Sequence, residues 1–283
     1  PERMLDEVGP RIRAVVASGE RGATRAMIEK MPNLEIVATY GVGVDATDRR
    51  ACAERGIPVT NTPDVLTEDV ADMGLVLMLC VLREIVPADR YVREGRWPKE
   101  GVRKMTTTPR GRSVGIVGLG RIGKAFAERA RAFGMEVAYY GRRRQADVPF
   151  VYFDDLVEMA RAVDVLVLTC PGGEATRGIV NARVLEALGP EGYLVNIARG
   201  SVVDEPALVE ALVNGTIKAA GLDVFADEPN VPEALFPLDN VVLQPHAASA
   251  TDETRDAMAQ LVVDNLAAHF AGRPLLTAVP PPG

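Results

Sequence analysis

Short, nearly continuous apolar runs alternate along the chain with stretches whose apolar residues recur at helical spacing. The runs fall at Arg13–Ala17, Glu35–Thr39, Pro58–Asn61, Ser113–Val117, Glu136–Tyr140, Val165–Thr169, Tyr193–Ile197, Ala219–Leu222 and Val241–Leu243. A run that is apolar at successive positions suits a parallel strand covered on both faces. Between the runs lie helical patterns at Ala46–Arg55, Glu68–Ile85, Lys124–Phe133, Asp155–Arg161, Glu205–Asn214 and Thr251–Phe270. This βαβα order predicts an α/β protein built on doubly wound parallel sheets.

The rhythm breaks in two places. From Pro87 to Arg112 the chain is rich in Arg, Gly, Pro and Thr and reads as an arm without elements of its own. Such an arm is either a long surface loop or, the preferred reading, a segment lying on a partner subunit. The helix before it is apolar around much of its circumference, more than one packed face requires. Together they predict a two-fold homodimer, with Trp97 or Met105 near the neighbour's cleft. The second break is the Pro-rich tail after Phe270, which reads as a simple chain end. The chain opens at Pro1 without Met, and the expectation is a truncated N-terminus.

Composition narrows the possibilities. At roughly 150 residues per domain, 283 residues suggest two domains, and 47% hydrophobic content is ample for their cores. A formal charge of −7 argues against sheathing nucleic acid or an anionic membrane. The longest apolar run, Met73–Leu82, is about half what a bilayer span needs. Three scattered cysteines without a CxxC, beside two histidines, exclude a zinc-finger or disulfide scaffold. They fit a reducing cytoplasm, the expected location, and no signal-peptide pattern is visible. No metal site is expected.

The sharpest motif is Gly118-Leu-Gly120-Arg-Ile-Gly123, directly after one strand and directly before a helix. Gly118 allows a tight turn, Gly120 lets the backbone approach a pyrophosphate, and Gly123 lets helix and strand pack closely. Backbone N–H groups and the positive helix end then face the anion. A glycine turn without a ligand is the alternative, disfavoured by the strand–turn–helix setting. About twenty residues on, the next strand ends in Gly141-Arg142-Arg143-Arg144, where NAD sites usually carry an acid for the ribose hydroxyls. Glycine plus arginines leaves room for a 2′-phosphate and supplies its partners, so NADPH is the expected cofactor. A solvated basic loop is the competing reading.

With two histidines, the search for a neutral-pH acid or base is short. His269 sits late in the last helix and reads as a packing residue. His246 lies in Gln244-Pro-His-Ala-Ala-Ser249 at the carboxyl end of a strand, where open α/β sheets bind ligands. Arg199 and Glu228 follow the two preceding strands in the same way. A cation, a carboxylate and an imidazole on one sheet edge can bind an anion, hold a histidine and move a proton.

The ordered stretches GLGRIG, NIARG, GLDVFADEP and LQPHAAS resemble the D-isomer-specific 2-hydroxyacid dehydrogenase family over essentially the whole chain. Within it the chain looks most like NADPH-dependent glyoxylate/hydroxypyruvate and hydroxyphenylpyruvate reductases. The resemblance implies a Rossmann-type cofactor domain, residues 68–251, inserted into a flavodoxin-like substrate domain, residues 1–67 and 252–283. The opening strand of that substrate domain is missing from the sequence, which agrees with truncation. The resemblance also assigns roles. Arg199 would bind the substrate carboxylate and polarise the 2-oxo group. His246 would donate the proton, and Glu228 would hold His246. Val42 and Gly43 would clasp the carboxylate through backbone N–H groups, within a cleft between the domains. Thr67, Gly118, Gly120, Arg121, Ile122, Gly123, Gly141, Arg142, Arg143, Cys170, Pro171, Ile197, Ala198, Asp223, His246 and Ala248 would line the cofactor. The implied reaction reduces a small anionic 2-oxo acid to the D-2-hydroxy acid. Alternatives are a dinucleotide-sensing corepressor, against which no long disordered tail is present, and related dehydrogenases acting on hydroxyphenylpyruvate, 2-ketogluconate or phosphoglycerate. Formate enzymes resemble the set but lack a glutamate in the role of Glu228.

Overall fold

The computed structural model describes residues 2–282. The chain divides into two compact units, one formed by the chain up to Leu66 together with the chain from Ser249, the other by Thr67–Ala248. Among the described residues no helix is long and apolar enough to cross a membrane.

The first unit holds strands β1 (Ala14–Ser18), β2 (Ile36–Tyr40) and β3 (Val59–Thr60), paired in parallel in that order. Strand β2 is central and buried from Ile36 to Thr39. Its core partners include Ile28, Met31, Leu34, Cys52 and Ile57. Helices Arg25–Glu29 and Arg49–Glu54 are each started by a side-chain cap, Thr24 and Asp48, accepting a backbone N–H of the first turn. Such caps contribute about 1 kcal/mol each. Helix Asp252–Phe270 packs on β2 and buries Met258, Val262, Asn265 and Ala268.

The tail is more than a chain end, which corrects the sequence reading. The Val279 N–H bonds the Val59 carbonyl at 2.8 Å, the Asn61 N–H reaches the Thr277 carbonyl, and Thr60 bridges Ala278 in antiparallel fashion. Strand β3 ends the sheet and presents an unpaired row of backbone groups, which the tail satisfies. Pro280, Pro281 and Pro282 lack N–H groups and cannot extend the pairing.

The second unit holds β4 (Ser113–Val117), β5 (Glu136–Tyr140), β6 (Val151–Phe153), β7 (Val165–Leu168), β8 (Tyr193–Asn196), β9 (Ala219–Leu222) and β10 (Val241–Leu243). Their spatial order is β10-β9-β8-β7-β4-β5-β6, all parallel. Strands β7, β8 and β9 are buried at every position, as the continuous apolar runs require. The order reverses direction between β4 and β7. This topological switch point, outside the carboxyl ends of those strands, is where doubly wound sheets bind ligands. Strand β6 has no counterpart in the sequence reading. It is a three-residue edge strand, partly exposed; its short apolar stretch Phe150–Phe153 follows β5 with no helix between, so the alternation of strand and helix does not mark it.

The segment 87–112 also departs from expectation. Helix Ile85–Arg93 spans its start and helix Trp97–Glu100 follows. Pro87 and Pro98, part of the composition that makes this segment read as an arm without elements, both sit in first turns, where the backbone N–H has no intrahelical partner to lose. Ion pairs Asp89–Arg93 and Arg96–Glu100, four residues apart, support the two helices. The hydroxyl of buried Tyr91 donates to the Gly101 carbonyl at 2.7 Å. The turn at 94–96 and the stretch from 101 to 112 lack helix and strand.

Candidate active site

At the switch point the chain leaves β4, turns through Gly118 and Gly120, and enters helix Arg121–Ala132. Gly118 has φ +94°, and a β-carbon there would lie 2.7 Å from the Cys170 Cα. At Gly123 a β-carbon would lie 2.5 Å from the Gly118 carbonyl oxygen. Both positions therefore need glycine for close packing. Gly120 and Gly141 differ: a β-carbon at either meets nothing within 4 Å. Gly120 caps the helix without a side chain, so the first-turn N–H groups of Arg121, Ile122 and Gly123 border that open space. The glycines expected to face a cofactor thus leave room for one, and the residues present fit a dinucleotide.

Beyond β5, Gly141 is followed by three exposed arginines, Arg142, Arg143 and Arg144. The following residue, missed in the sequence, fixes this loop. The Gln145 side chain donates to the Leu119 carbonyl at 2.8 Å, and its backbone N–H donates to the Tyr139 hydroxyl at 2.7 Å. The basic loop is thereby tied to the glycine turn. Cys170 lies buried beneath Gly118, and burial pushes its thiol up to about 11, so it packs and does not react as a thiolate. Pro171 follows, its carbonyl accepting from the Thr176 hydroxyl. Thr67 is the first residue of helix Thr67–Leu82.

Three further loops leave the carboxyl ends of β8, β9 and β10. After β8, the buried Asn196 amide donates to the Arg199 carbonyl at 3.0 Å and accepts the Ala198 N–H at 3.0 Å. Asn196, also missed earlier, shapes the turn through buried Ile197 and Ala198 that presents half-buried Arg199. After β9, Asp223 is 1% exposed. Its carboxylate accepts the Ala247 and Ala248 N–H groups at 2.8 and 3.1 Å, and its carbonyl accepts the His246 N–H. Burial raises the Asp223 pKa against the opposing pull of those N–H donors. Asp223 thus clamps the loop that holds His246 at φ +51°, a left-handed conformation.

Glu228 Oε2 lies 2.7 Å from His246 Nδ1, and Oε1 accepts the Phe225 N–H at 2.9 Å. Burial works to raise the Glu228 pKa, but the bonds from His246 and Phe225 and the charges of His246 and Arg199 outweigh it and hold it below the ordinary range. A carboxylate so held fixes the imidazole tautomer, with Nδ1 as donor to Glu228, and stabilises its protonated form. Arg199, Glu228 and His246 therefore come together on one sheet edge, as the sequence order implied. His269 lies elsewhere, in the first unit, 3.7 Å from a Glu35 oxygen and edge-on to Phe270.

In the first unit, the loop after β2 carries Val42 and Gly43, both partly exposed. Gly41 donates its N–H to the Thr62 hydroxyl at 3.0 Å and accepts the Thr62 N–H at 2.9 Å. The Asn61 amide donates to the Val42 carbonyl at 2.9 Å.

A Rossmann-type unit with a histidine–carboxylate pair and an arginine beside its switch point defines a nicotinamide-dinucleotide oxidoreductase. The family model for the D-isomer specific 2-hydroxyacid dehydrogenase, NAD binding domain, matches residues 75–248. Glyoxylate/hydroxypyruvate reductase A of Arabidopsis thaliana is 53% identical over 268 residues, 95% of this chain and 85% of that protein. Hydroxyphenylpyruvate reductase of Plectranthus scutellarioides is equally similar, with the same coverage. Among solved structures, the NADPH-dependent glyoxylate/hydroxypyruvate reductase of Sinorhizobium meliloti, in complex with NADP and malonate, superposes with a TM-score of 0.92. It is 50% identical, covering 96% of this chain and 85% of that one. The chain belongs to the D-isomer-specific 2-hydroxyacid dehydrogenase family. It is an oxidoreductase that uses a nicotinamide dinucleotide.

Proposed function

We propose that the protein is an NADPH-dependent reductase of small 2-oxo acids, of the glyoxylate/hydroxypyruvate class, forming D-2-hydroxy acids. The observation that carries this reading is the 2.7 Å Glu228–His246 pair on the same sheet edge as Arg199. When bound, the reduced nicotinamide supplies the hydride that reaches the 2-oxo carbon. His246 gives its Nε2 proton to the oxo oxygen, converting the ketone or aldehyde oxygen to a hydroxyl. Glu228 keeps the ring oriented and favours its protonated state beforehand. Arg199 binds the carboxylate and stabilises charge growing on the oxo oxygen. In the first unit, the Val42 and Gly43 N–H groups serve as carboxylate donors. Local cations and N–H groups oppose the bulk charge of −7.

The glycine turn and the N–H groups of Arg121, Ile122 and Gly123 hold the pyrophosphate, while Thr67, Cys170, Pro171, Ile197, Ala198, Asp223 and Ala248 line the cofactor. Gly141 leaves space for a 2′-phosphate and Arg142 and Arg143 pair with it. This preference is supported by the open space at Gly141 and by the NADP complex of the Sinorhizobium meliloti relative. The unit containing the β2 loop acts as the substrate domain and the other as the cofactor domain.

The functional form is a homodimer formed through the second unit, in a cytoplasmic setting. Supporting the dimer, Val76, Ile85, Val92, Trp97, Val102 and Met105 all expose large apolar side chains between residues 76 and 105, with Met105 84% exposed. A monomeric mass by light scattering at micromolar concentration overturns that part. The catalytic reading is tested by following NADPH consumption with glyoxylate, hydroxypyruvate, hydroxyphenylpyruvate and 2-ketogluconate. Turnover with at least one supports it, and none with either NADPH or NADH defeats it.

A further inference from the structure

Asn265 is fully buried on helix Asp252–Phe270, among apolar neighbours such as Met258, Val262 and Ala268. A primary amide in such a place is costly unless its hydrogen-bonding capacity is used. Here it is saturated. Nδ2 donates to the Leu261 carbonyl at 2.8 Å and to the Thr277 hydroxyl at 2.9 Å. Oδ1 accepts the N–H groups of Leu276 and Thr277 at 3.1 and 3.2 Å. A leucine would fill the same helical position without that demand, so the amide is there to hold the tail. Thr277 passes the connection on. Its hydroxyl donates to the Asn61 carbonyl at 2.6 Å. Asn61 in turn donates from its side chain to the Val42 carbonyl.

The end of this chain of bonds matters because peptide groups are planar and trans. Fixing a carbonyl fixes the N–H of the following residue on the opposite side of the same plane. The Val42 carbonyl shares its plane with the Gly43 N–H, and Asn61 holds it. The Gly41 carbonyl shares its plane with the Val42 N–H, and the Thr62 N–H holds it at 2.9 Å. The two N–H groups assigned above to the substrate carboxylate are thus the reverse sides of two anchored carbonyls.

We propose that Asn265 and Thr277 are positioning residues for substrate binding, acting through Asn61 to aim the Gly43 N–H. This rests on the reading of Val42 and Gly43 as carboxylate donors. The C-terminal tail is then part of the apparatus that binds the 2-oxo acid, although neither Asn265 nor Thr277 touches it. Stability alone would predict a uniform loss on disrupting the network. Positioning predicts a loss confined to one substrate.

Thr277→Val keeps the shape and removes the hydroxyl, and Thr277→Ser restores it. For Thr277→Val the KM for the 2-oxo acid should rise about tenfold, with the KM for NADPH within about twofold of wild type. Thr277→Ser should recover the wild-type KM. Amide hydrogen exchange followed by mass spectrometry should show residues 41–44 exchanging faster in Thr277→Val and in Asn265→Leu, and not in Thr277→Ser. Unchanged exchange of that loop in Thr277→Val overturns the proposal, as does an equal rise in both KM values or no rise in either. Thr277→Val suffices for these outcomes if Asn265→Leu does not fold. A wild-type protein inactive on every 2-oxo acid defeats the functional reading instead, while the exchange experiment still decides whether the tail holds the loop.

Discussion

The same substitution at two glycines, two residues apart, should have opposite consequences. Gly118→Ala places a β-carbon 2.7 Å from the Cys170 Cα and 2.8 Å from its backbone nitrogen, atoms that cannot rotate away. It also forces a side chain onto φ +94°. Strained backbone costs about 1–3 kcal/mol and overpacking about another 1–3 kcal/mol, or roughly 2–6 kcal/mol together. At about 2–4 °C per kcal/mol for a unit of this size, the melting temperature should fall by roughly 4–24 °C. Gly120→Ala meets nothing within 4 Å, and φ there is −83°. Its only folded-state cost is alanine at a helix N-cap, on the order of 1 kcal/mol or less. The added methyl group nevertheless occupies the path by which a pyrophosphate reaches the helix N–H groups. Affinity for NADPH should drop at least about tenfold, the equivalent of about 1.4 kcal/mol. Thermal unfolding without cofactor and fluorescence titration with NADPH separate the two effects. A Gly120→Ala protein that binds NADPH like wild type would refute the assignment of this turn, and a Gly118→Ala protein that melts like wild type would refute the packing argument.

Replacing His246 with Gln should lower kcat by about a hundredfold or more while NADPH affinity changes little, since proton donation is lost and glutamine keeps a polar side chain of similar size beside the cofactor; near-normal turnover at pH 7 removes His246 from the mechanism. Glu228→Gln should keep more of its activity at low pH than at high pH, because the protonated imidazole loses its carboxylate, and an unchanged upper limb of the kcat/KM profile counts against the pair. Because the Glu228 pKa is lowered on folding, its contribution to stability is present above the ordinary carboxylate pKa of about 4.3 and disappears as pH falls through the folded value. The difference in melting temperature between wild type and Glu228→Gln should therefore shrink on acidification; a constant gap from pH 7 to pH 3 argues otherwise. Arg142→Ala and Arg143→Ala should each weaken NADPH binding roughly ten- to hundredfold and barely alter NADH, and Gly141→Asp should shift preference toward NADH. Equal losses for both cofactors would mean that the arginines only hold the loop.

The parts of this molecule that were legible in the sequence are those whose chemistry is local. The Gly118–Gly123 turn, its strand and its helix lie in one short stretch, and fully buried strands such as Val165–Leu168 announce themselves as apolar runs. Arg199, Glu228 and His246 were readable because each follows a strand at the same sheet edge, so topology alone gathers them. The composition of 87–112 hid two helices because composition ignores position: Pro87 and Pro98 lie in first turns, where they break nothing. The tail was misread because its pairing partner, β3, lies more than two hundred residues away. Gln145, Asn196 and Asn265 were missed for a related reason. A polar side chain reveals its value only through what it bonds, and for Asn265 the one available signal was an amide interrupting the apolar face of the last helix.

The pairing of β3 with the tail also sets an order of events during synthesis. Residues 67–248, the whole second unit, leave the ribosome before helix Asp252–Phe270 and the segment from Thr277 to Val279 exist. At about 5–20 residues per second, that interval lasts roughly 10–40 s. Throughout it the nascent β1-β2-β3 sheet lacks both the helix that packs on β2 and the partner for the edge of β3. The inserted unit has all of its strands in hand and can fold as a body, while the first waits with apolar surface and backbone donors bare. That interval, more than any weakness of the finished protein, is when this chain is open to aggregation and most in need of a chaperone.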